Sequence, residues 1–141
     1  MTKELVIKNL KEALESKDCY LEEDEIEFIV EVGYKEMKKW TYKDFNMFIF
    51  DILGEWGDYM YVLREYDLLP NLKDEEESVK AWFSGHPQAM QDCITQCDID
   101  IDDSKTLDEI FDECIDIEDI KMWLRDHKEA YRDCIRYIIH R

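Results

Sequence analysis

The residues best suited to chemistry are carboxylates gathered in one stretch of the chain, residues 98–119, which reads DIDIDDSKTLDEIFDECIDIED. Eleven of its 22 residues are Asp or Glu and Lys105 is its only basic residue, so its net charge is −10. Carboxylates at this density can coordinate a hard cation through their oxygens, or accept charge-assisted hydrogen bonds from Lys and Arg of another protein. The stretch is therefore the first candidate for a binding site.

The first half of the stretch has the spacing of a cation-binding loop. Asp98, Asp100 and Asp102 alternate along the chain, and Glu109 falls at the twelfth position. This spacing resembles the EF-hand calcium loop, in which alternating carboxylates surround the cation and a final bidentate Glu completes its coordination. Asp103 departs from that pattern because it stands where the sharp turn needs Gly, and the lysine two residues later brings a positive charge near the cation. A calcium- or other cation-dependent regulatory module is the alternative hypothesis.

The second half of the stretch predicts a short helix with a row of acids. Thr106 followed three residues later by Glu109 matches a capping box, which explains both residues without a metal. Carboxylates then recur every three or four residues, about 5–6 Å apart along a helix axis, an interval comparable to that of successive phosphates. A solvated acidic face without a partner has the same pattern. The row consists of Asp108, Asp112, Asp116 and Asp119.

Five cysteines and three histidines are the other residues that could carry chemistry. Cys93 and Cys97 would share one helical face, but a zinc site needs two more ligands and no C-x-x-C pair is present. No signature of nucleophilic catalysis surrounds any cysteine, and no glycine-rich phosphate loop occurs. We therefore expect inert, buried thiols, no cofactor and no enzymatic activity.

The elements that must position these residues are predicted to be helices. Gly and Pro are scarce, at 4 and 2 residues, and apolar residues recur at intervals of three and four. We expect an all-α, single-domain bundle over residues 1–141, with about seven helices around a central hydrophobic helix at residues 42–56. The last helix is predicted over residues 117–140. All four tryptophans fall on predicted inner faces: Trp40, Trp56, Trp82 and Trp123.

Acidity dominates the composition, with 36 Asp and Glu against 18 Lys and Arg and a formal net charge of −18. A small domain needs a net charge of only about 2–8 for solubility, and the excess costs stability through self-repulsion. Direct binding to nucleic acid is not expected, because it requires a basic face. Aromatic residues make up 13% of the chain, which favours a folded domain over acidic disorder.

The cellular location and the domain organisation are predicted from signals that the sequence lacks. No apolar run approaches the roughly 18 residues that span a bilayer, and no export signal precedes the first amphipathic segment. We therefore expect a cytoplasmic chain with reduced cysteines and no membrane contact. No internal repeat, low-complexity linker or domain boundary is apparent. The C-terminal segment is locally basic, and if it folds back onto the acidic stretch, the acids are paired internally.

In composition and size the chain resembles the small acidic proteins that phages and mobile elements use against host nucleic-acid enzymes, such as anti-CRISPR and antirestriction proteins. This resemblance implies a non-enzymatic inhibitor. Together with the carboxylate row, it predicts an acidic protein that binds a basic, nucleic-acid-binding protein as a mimic of DNA. The predicted partner-binding residues come from the 98–119 stretch and from two secondary acidic patches: Asp98, Asp100, Asp102, Asp103, Asp108, Asp112, Asp116, Asp119, Glu22, Glu23, Glu25, Asp74, Glu75 and Glu76.

Overall fold

The computed structural model describes residues 1–100 and 103–140, and within these ranges the chain forms nine α-helices and no strand. The prediction of an all-α fold is confirmed. The helices are α1 (Lys3–Ser16), α2 (Glu23–Met37), α3 (Tyr42–Gly54), α4 (Tyr59–Glu65), α5 (Glu76–Ser84), α6 (Pro87–Gln96), α7 (Leu107–Cys114), α8 (Ile117–Asp126) and α9 (Lys128–His140). No helix of the described ranges is long and apolar enough to cross a membrane.

The number of helices differs from the predicted seven chiefly because the segment 117–140 is two helices. The backbone of His127 has φ −127° and ψ 78°, outside the helical region, so α8 ends there and α9 begins at the next residue. The apolar spacing continues across this break, which is why the sequence pattern predicts a single helix.

The contacts between residues divide the chain into two units, Met1–Leu69 and Pro70–Arg141. We call them unit 1 and unit 2 and describe each by itself. Unit 1 contains α1 to α4, and unit 2 contains α5 to α9. The prediction of one domain over residues 1–141 stays a prediction.

The hydrophobic helix α3 is the centre of unit 1, where it packs against α1 and α4. Its inner face buries Phe45, Phe48, Ile49 and Ile52 almost completely. The ring of Trp40 covers this face, with its centroid 5.3 Å from that of Phe45 and 5.4 Å from that of Phe48. The predicted central role of this helix is therefore realised within unit 1.

The C-terminus of α3 places one tryptophan outside the core. Gly54 is the last helical residue, and Trp56 and Gly57 adopt positive φ angles of 57° and 82°. The amide of Gly57 donates to the carbonyl of Ile52 at 2.8 Å, and that of Trp56 donates to Leu53 at 3.2 Å. These are the two hydrogen bonds of a Schellman motif, whose left-handed residue is usually Gly.

The predicted core position of Trp56 is therefore wrong, since its side chain is 99% exposed. The turn after Gly54 ends the helical spacing that pointed it inward. Trp82 and Trp123 are buried as predicted, and Trp40 is half-buried.

Replacing Trp56 with Gly is expected to raise the free energy of unfolding by about 1 kcal/mol, because the left-handed conformation is strained for a residue with a Cβ atom. Urea unfolding followed by circular dichroism measures the change. Trp56→Ala is the matched control: it removes the indole, retains the Cβ atom and leaves the strain in place. Equal stabilisation by both substitutions would contradict this explanation.

Unit 2 is built from two helical hairpins, α5–α6 and α8–α9, with α7 between them in the chain. The two hairpins pack against each other: α5 contacts α9, and α6 contacts α8. Phe83 lies in the resulting core, with its ring centroid 5.0 Å from that of Phe111 and 5.5 Å from that of Trp123.

Candidate partner-binding surfaces

The carboxylates of the 98–119 stretch lie at the surface of unit 2. Helix α7 is strongly amphipathic, and it turns Ile110 and Phe111 into the core while Asp108 and Asp112 stay exposed. The hydroxyl of Thr106 accepts from the amide of Glu109 at 3.2 Å, as the capping-box spacing predicts. The apolar face of α7 therefore fixes which way its acids point.

The predicted row of four acids is not continuous, and in this respect the prediction is wrong. Ile115 has extended dihedral angles of φ −108° and ψ 120°, so α7 ends at Cys114. Asp108 and Asp112 belong to α7, whereas Asp116 is the N-cap of the next helix. The acids therefore form two short groups on separate helices.

Each acid of the row already has a local partner. The carboxylate of Asp116 accepts from the amide of Asp119 at 3.0 Å, and that of Asp119 accepts from the amide of Asp116 at 3.3 Å, which completes a capping box. Asp108 accepts from the hydroxyl of Ser84 at 2.9 Å. Asp112 accepts from the ammonium of Lys80 at 3.1 Å. These carboxylates therefore stabilise helices α7 and α8 as well as charging the surface.

Asp116→Ala is expected to lower the free energy of unfolding by about 1 kcal/mol, because it removes the side-chain cap of α8. Urea unfolding measures the loss. Asp103→Ala removes an exposed carboxylate from the loop before α7 and is expected to change stability by less than about 0.5 kcal/mol. If the two substitutions cost the same, the cap does not stabilise the helix.

Lysines neutralise part of this charge. The hydrogen bond from Lys80 to Asp112 raises the pKa of the lysine. Lys105 contacts Glu113 at 2.6 Å, and Lys121 contacts Glu118 at 3.6 Å. Exposed pairs of this kind contribute about 0–1 kcal/mol each, so a stronger partner can exchange them. The acidic stretch is partly paired within unit 2, and these lysines do some of the pairing.

The two secondary patches are the acidic N-termini of helices. In unit 1 the amide of Glu22 donates to Glu25 at 3.0 Å in the capping box of α2, and Glu23 pairs with Lys11. In unit 2 Glu75 is the N-cap of α5. The carboxylates suit the positive end of each helix dipole. The remaining members are Asp74, which is exposed, and Glu76, which lies 3.6 Å from Lys80.

The candidate cation loop has no converging set of ligands in the part of the chain that the structure describes. Asp98 and Asp100 are exposed, and Glu109 contacts the hydroxyl of Thr106 at 3.2 Å. Asp102 lies outside the described residues. Within the two described ranges, no three His, Cys, Asp or Glu side chains come together as a metal site would require.

The cysteine thiols are free, and two of them are enclosed in the core of unit 2. Burial raises the pKa of Cys93 and of Cys134 to about 12. Since the thiolate is the reactive form, these two groups are unsuited to nucleophilic chemistry near neutral pH.

The prediction that the chain contains no repeat is wrong. Residues 77–94 read ESVKAWFSGHPQAMQDCI and residues 118–135 read EDIKMWLRDHKEAYRDCI, and eight of the 18 aligned residues are identical at an offset of 41. Helices α5 and α8 begin at matching positions, and so do α6 and α9. The two hairpins of unit 2 are therefore copies of one motif.

The repeated residues meet across the two copies. The indole of Trp82 donates to Asp133 at 2.9 Å, and the indole of Trp123 donates to Asp92 at 2.9 Å. The histidine four residues after each tryptophan stacks on its indole ring, with centroids 4.1 and 4.0 Å apart. Each copy thus supplies a ring pair to the carboxylate of the other, like the reciprocal contacts of a two-fold dimer.

We call this reciprocal arrangement the Trp–His–Asp interlock: Trp82, His86, Asp133, Trp123, His127 and Asp92. In both histidines Nδ1 donates to the carbonyl of the tryptophan in its own copy at 2.7 Å, since a carbonyl can only accept. The Nε2 atoms lie 3.5 and 3.4 Å from the carboxylate of the other copy. Both nitrogens of each ring therefore lie near an acceptor within unit 2, although the histidine side chains are 46% and 37% exposed.

Unit 1 carries a different surface that the sequence pattern missed. The outer side of α3 and the turn after it expose four large apolar residues, and we call this surface the aromatic ridge. Exposed apolar residues gathered at helical spacing mark interaction sites more often than scattered ones do. Their exposed fractions are 51% for Met47, 58% for Phe50, 41% for Leu53 and 99% for Trp56.

An open pocket of about 430 Å³ adjoins the ridge, and we call it the acidic pocket. The hydroxyl of Tyr66 donates to the carboxylate of Asp51, and its pKa is raised, first by burial and then by that hydrogen bond. Glu65 and Glu55 raise the pKa of Tyr61. Three carboxylates and three aromatic rings therefore surround one space. Its lining residues are Phe50, Asp51, Gly54, Glu55, Tyr61, Val62, Glu65 and Tyr66.

Compared with known proteins, the chain matches no family model, no curated protein and no solved structure.

Proposed function

We propose that the chain is a non-enzymatic interaction protein whose acidic surface binds a basic, nucleic-acid-binding protein in place of nucleic acid. The observation that carries this proposal is the placement of the charge. Among the described residues Ser78 is the one polar side chain in the core, and no Asp or Glu is buried. Since the chain contains 36 acids against 18 bases, the surface of the described residues is strongly negative.

The mechanism is competition for arginine and lysine. Carboxylates accept the same bidentate hydrogen bonds from arginine as phosphates do. A negative surface also accelerates encounter with a basic groove. Helices α7 and α8 hold Asp108, Asp112 and Asp116 on a folded scaffold, so the partner does not have to order a flexible acidic tail.

The interlock and the thiols favour binding over catalysis. The ring nitrogens of His86 and His127 face partners within the fold, and the thiols of Cys93 and Cys134 are held protonated by burial. The partner class that the overall resemblance implies is a host nuclease or restriction complex, which the chain would inhibit in the manner of an anti-CRISPR or antirestriction protein.

Affinity capture tests the proposal. The immobilised chain is exposed to host extract at low and at high salt, and the captured proteins are then challenged with duplex DNA. The proposal expects a nucleic-acid-binding protein that is released both by salt, which screens exposed charges, and by DNA, which competes for the same groove. A partner that stays bound at high salt, or that holds DNA and the chain together, would overturn it.

Charge-neutralised variants then locate the surface. Asparagine is used for the acids because it retains the capping ability of aspartate. The test variant replaces the carboxylates of α7 and α8: Asp108→Asn, Asp112→Asn, Asp116→Asn and Asp119→Asn. The matched control removes four exposed acids elsewhere: Glu4→Gln, Glu12→Gln, Glu15→Gln and Glu36→Gln. The test variant is expected to lose at least about tenfold in affinity, or about 1.4 kcal/mol, and the control much less. Equal losses would contradict the assignment to α7 and α8.

A further inference from the structure

The packing of unit 1 gives no reason for a tryptophan at position 56. It occupies the left-handed position of a Schellman motif, where glycine is favoured, and its side chain is 99% exposed. A large apolar side chain that is both strained and solvated contributes nothing evident to folding. Residues held in such conformations gather at sites of function, and tryptophan is one of the side chains enriched among binding hot spots.

The acidic pocket beside the ridge defines what it can hold. The faces of aromatic rings attract cations, and carboxylates supply charged acceptors for the same group. Asp51, Glu55 and Glu65 line the pocket together with aromatic rings, and no basic residue lines it. The pocket therefore suits a guanidinium or ammonium group on an apolar stem.

Two cations of the chain already lie near the rings of this surface. Lys17 lies 6.0 Å from the ring centroid of Phe50, and Arg64 lies 5.7 Å from that of Tyr61. Both distances are close to the outer limit of about 6 Å for a cation–π contact. The acids still outweigh Arg64 at Tyr61, because the pKa of the tyrosine is raised in spite of the nearby guanidinium. Three carboxylates of the pocket thus stand against one guanidinium beside its Tyr61 ring.

We propose that the aromatic ridge and the acidic pocket of unit 1 form a docking site for a basic segment of a partner protein, with an arginine side chain in the pocket and an apolar side chain against Trp56. The proposal rests on the proposed function for the basic character of the partner. It adds a second contact surface, on unit 1, whose specificity comes from shape and aromatic contact as well as charge.

A nuclear magnetic resonance titration tests the docking site without knowledge of the partner. The probe is a blocked peptide of alternating leucine and arginine, and a peptide of alternating leucine and glutamate is the control. If the docking site exists, the arginine peptide is expected to shift the signals of the Trp56 indole and the Tyr61 ring. The glutamate peptide is expected to shift neither. Shifts confined to the acids of α7 and α8 would overturn the docking site and leave the proposed function standing. No shift at either surface would count against both.

Four variants separate docking from folding. Trp56→Gly and Trp56→Ala are both expected to weaken binding of the arginine peptide at least tenfold, although only the first removes the backbone strain. Glu55→Gln combined with Glu65→Gln is expected to weaken it comparably. Tyr20→Ala removes another exposed aromatic side chain of unit 1, at 83% exposure, and is expected to leave binding unchanged. Unchanged binding by both Trp56 variants would overturn the proposal.

Discussion

Replacing Asp92 and Asp133 together with alanine is expected to lower the free energy of unfolding of unit 2 by about 2–6 kcal/mol. Each carboxylate accepts a hydrogen bond from an indole N–H at 2.9 Å, and the two indole side chains are only 4% exposed. A buried donor left without an acceptor costs about 1–3 kcal/mol. Domains have a total stability of about 5–15 kcal/mol, so the double variant is expected to lose a large part of it. Urea unfolding followed by tryptophan fluorescence measures the loss.

Double-mutant cycles separate the hydrogen bonds of the interlock from the other effects of removing an acid. Trp82→Phe removes the N–H donor, so Asp133→Ala is expected to cost about 1 kcal/mol less in that background than in the wild type. The pair formed by Trp123 and Asp92 is expected to give a similar coupling energy, because its geometry is the same. Glu129→Ala, an exposed acid on α9, is the control and is expected to change stability by less than about 0.5 kcal/mol. Coupling near zero in both cycles would contradict the interlock.

Local signals explain most of what the sequence predicts correctly. Thr106 caps α7 as its capping-box spacing predicts, and Thr2 and Asp116 cap α1 and α8 in the same way, each side-chain oxygen accepting from the amide three residues on. Caps depend on a few neighbouring residues, so they can be identified without tertiary structure. The inward faces of α3 and α7 follow in the same way from apolar spacing.

The failures occur where tertiary or turn geometry decides the outcome. Apolar spacing continues through His127, but its ring stacks on Trp123 and faces a carboxylate from another helix, and the helix ends there. Trp56 has the right spacing for the inner face of α3, but the Schellman turn directs it to solvent. Neither effect is visible in the periodicity of the sequence.

The repeat in unit 2 could have been found from the sequence by comparing the chain with itself. Its signature is Trp-x₃-His-x₂-Ala-x₂-Asp-Cys-Ile, which begins at Trp82 and again at Trp123. Reading the chain for helix-breaking residues does not reveal the repeat, because the two copies differ at the helix break. The first copy has Gly85 and Pro87 there, and the second has Asp126 and Lys128. The two breaks look different in sequence and have the same place in the structure.

The candidate partner-binding surfaces differ in how far the sequence could predict them. The acids of α7 and α8 follow from composition, since nearly any fold leaves carboxylates at its surface. The aromatic ridge cannot be predicted from composition, because apolar residues such as Phe50 and Leu53 would also be expected on a helix buried in the core. Exposure alone distinguishes the two cases, and exposure is a property of the folded unit.

Raising the pH above about 9 is expected to destabilise unit 2 steeply. In the folded state burial holds the pKa of Cys93 and Cys134 at about 12, against an ordinary value of 9.0. Between these values the unfolded chain has lost protons that the folded chain still holds. Stability therefore falls as pH rises, by about 1.4 kcal/mol per pH unit for each thiol. The contribution of the two thiols is fully present below pH 9 and is lost as pH approaches 12. Urea unfolding at a series of alkaline pH values measures the slope.

The thiol variants identify the origin of this alkaline slope. Cys93→Ala and Cys134→Ala each remove one buried titrating group, so each is expected to flatten the slope by about 1.4 kcal/mol per pH unit, even though the cavity lowers stability at neutral pH. Cys114→Ala removes an exposed thiol and is expected to leave the slope unchanged. Tyr66, whose pKa is also raised, belongs to unit 1 and adds to the loss only above its ordinary value of 10.0. Burial also raises the pKa of Cys97, which keeps part of the slope in the variant that lacks both Cys93 and Cys134. A slope that persists undiminished in this double variant between pH 9 and 10 would show that other groups cause it.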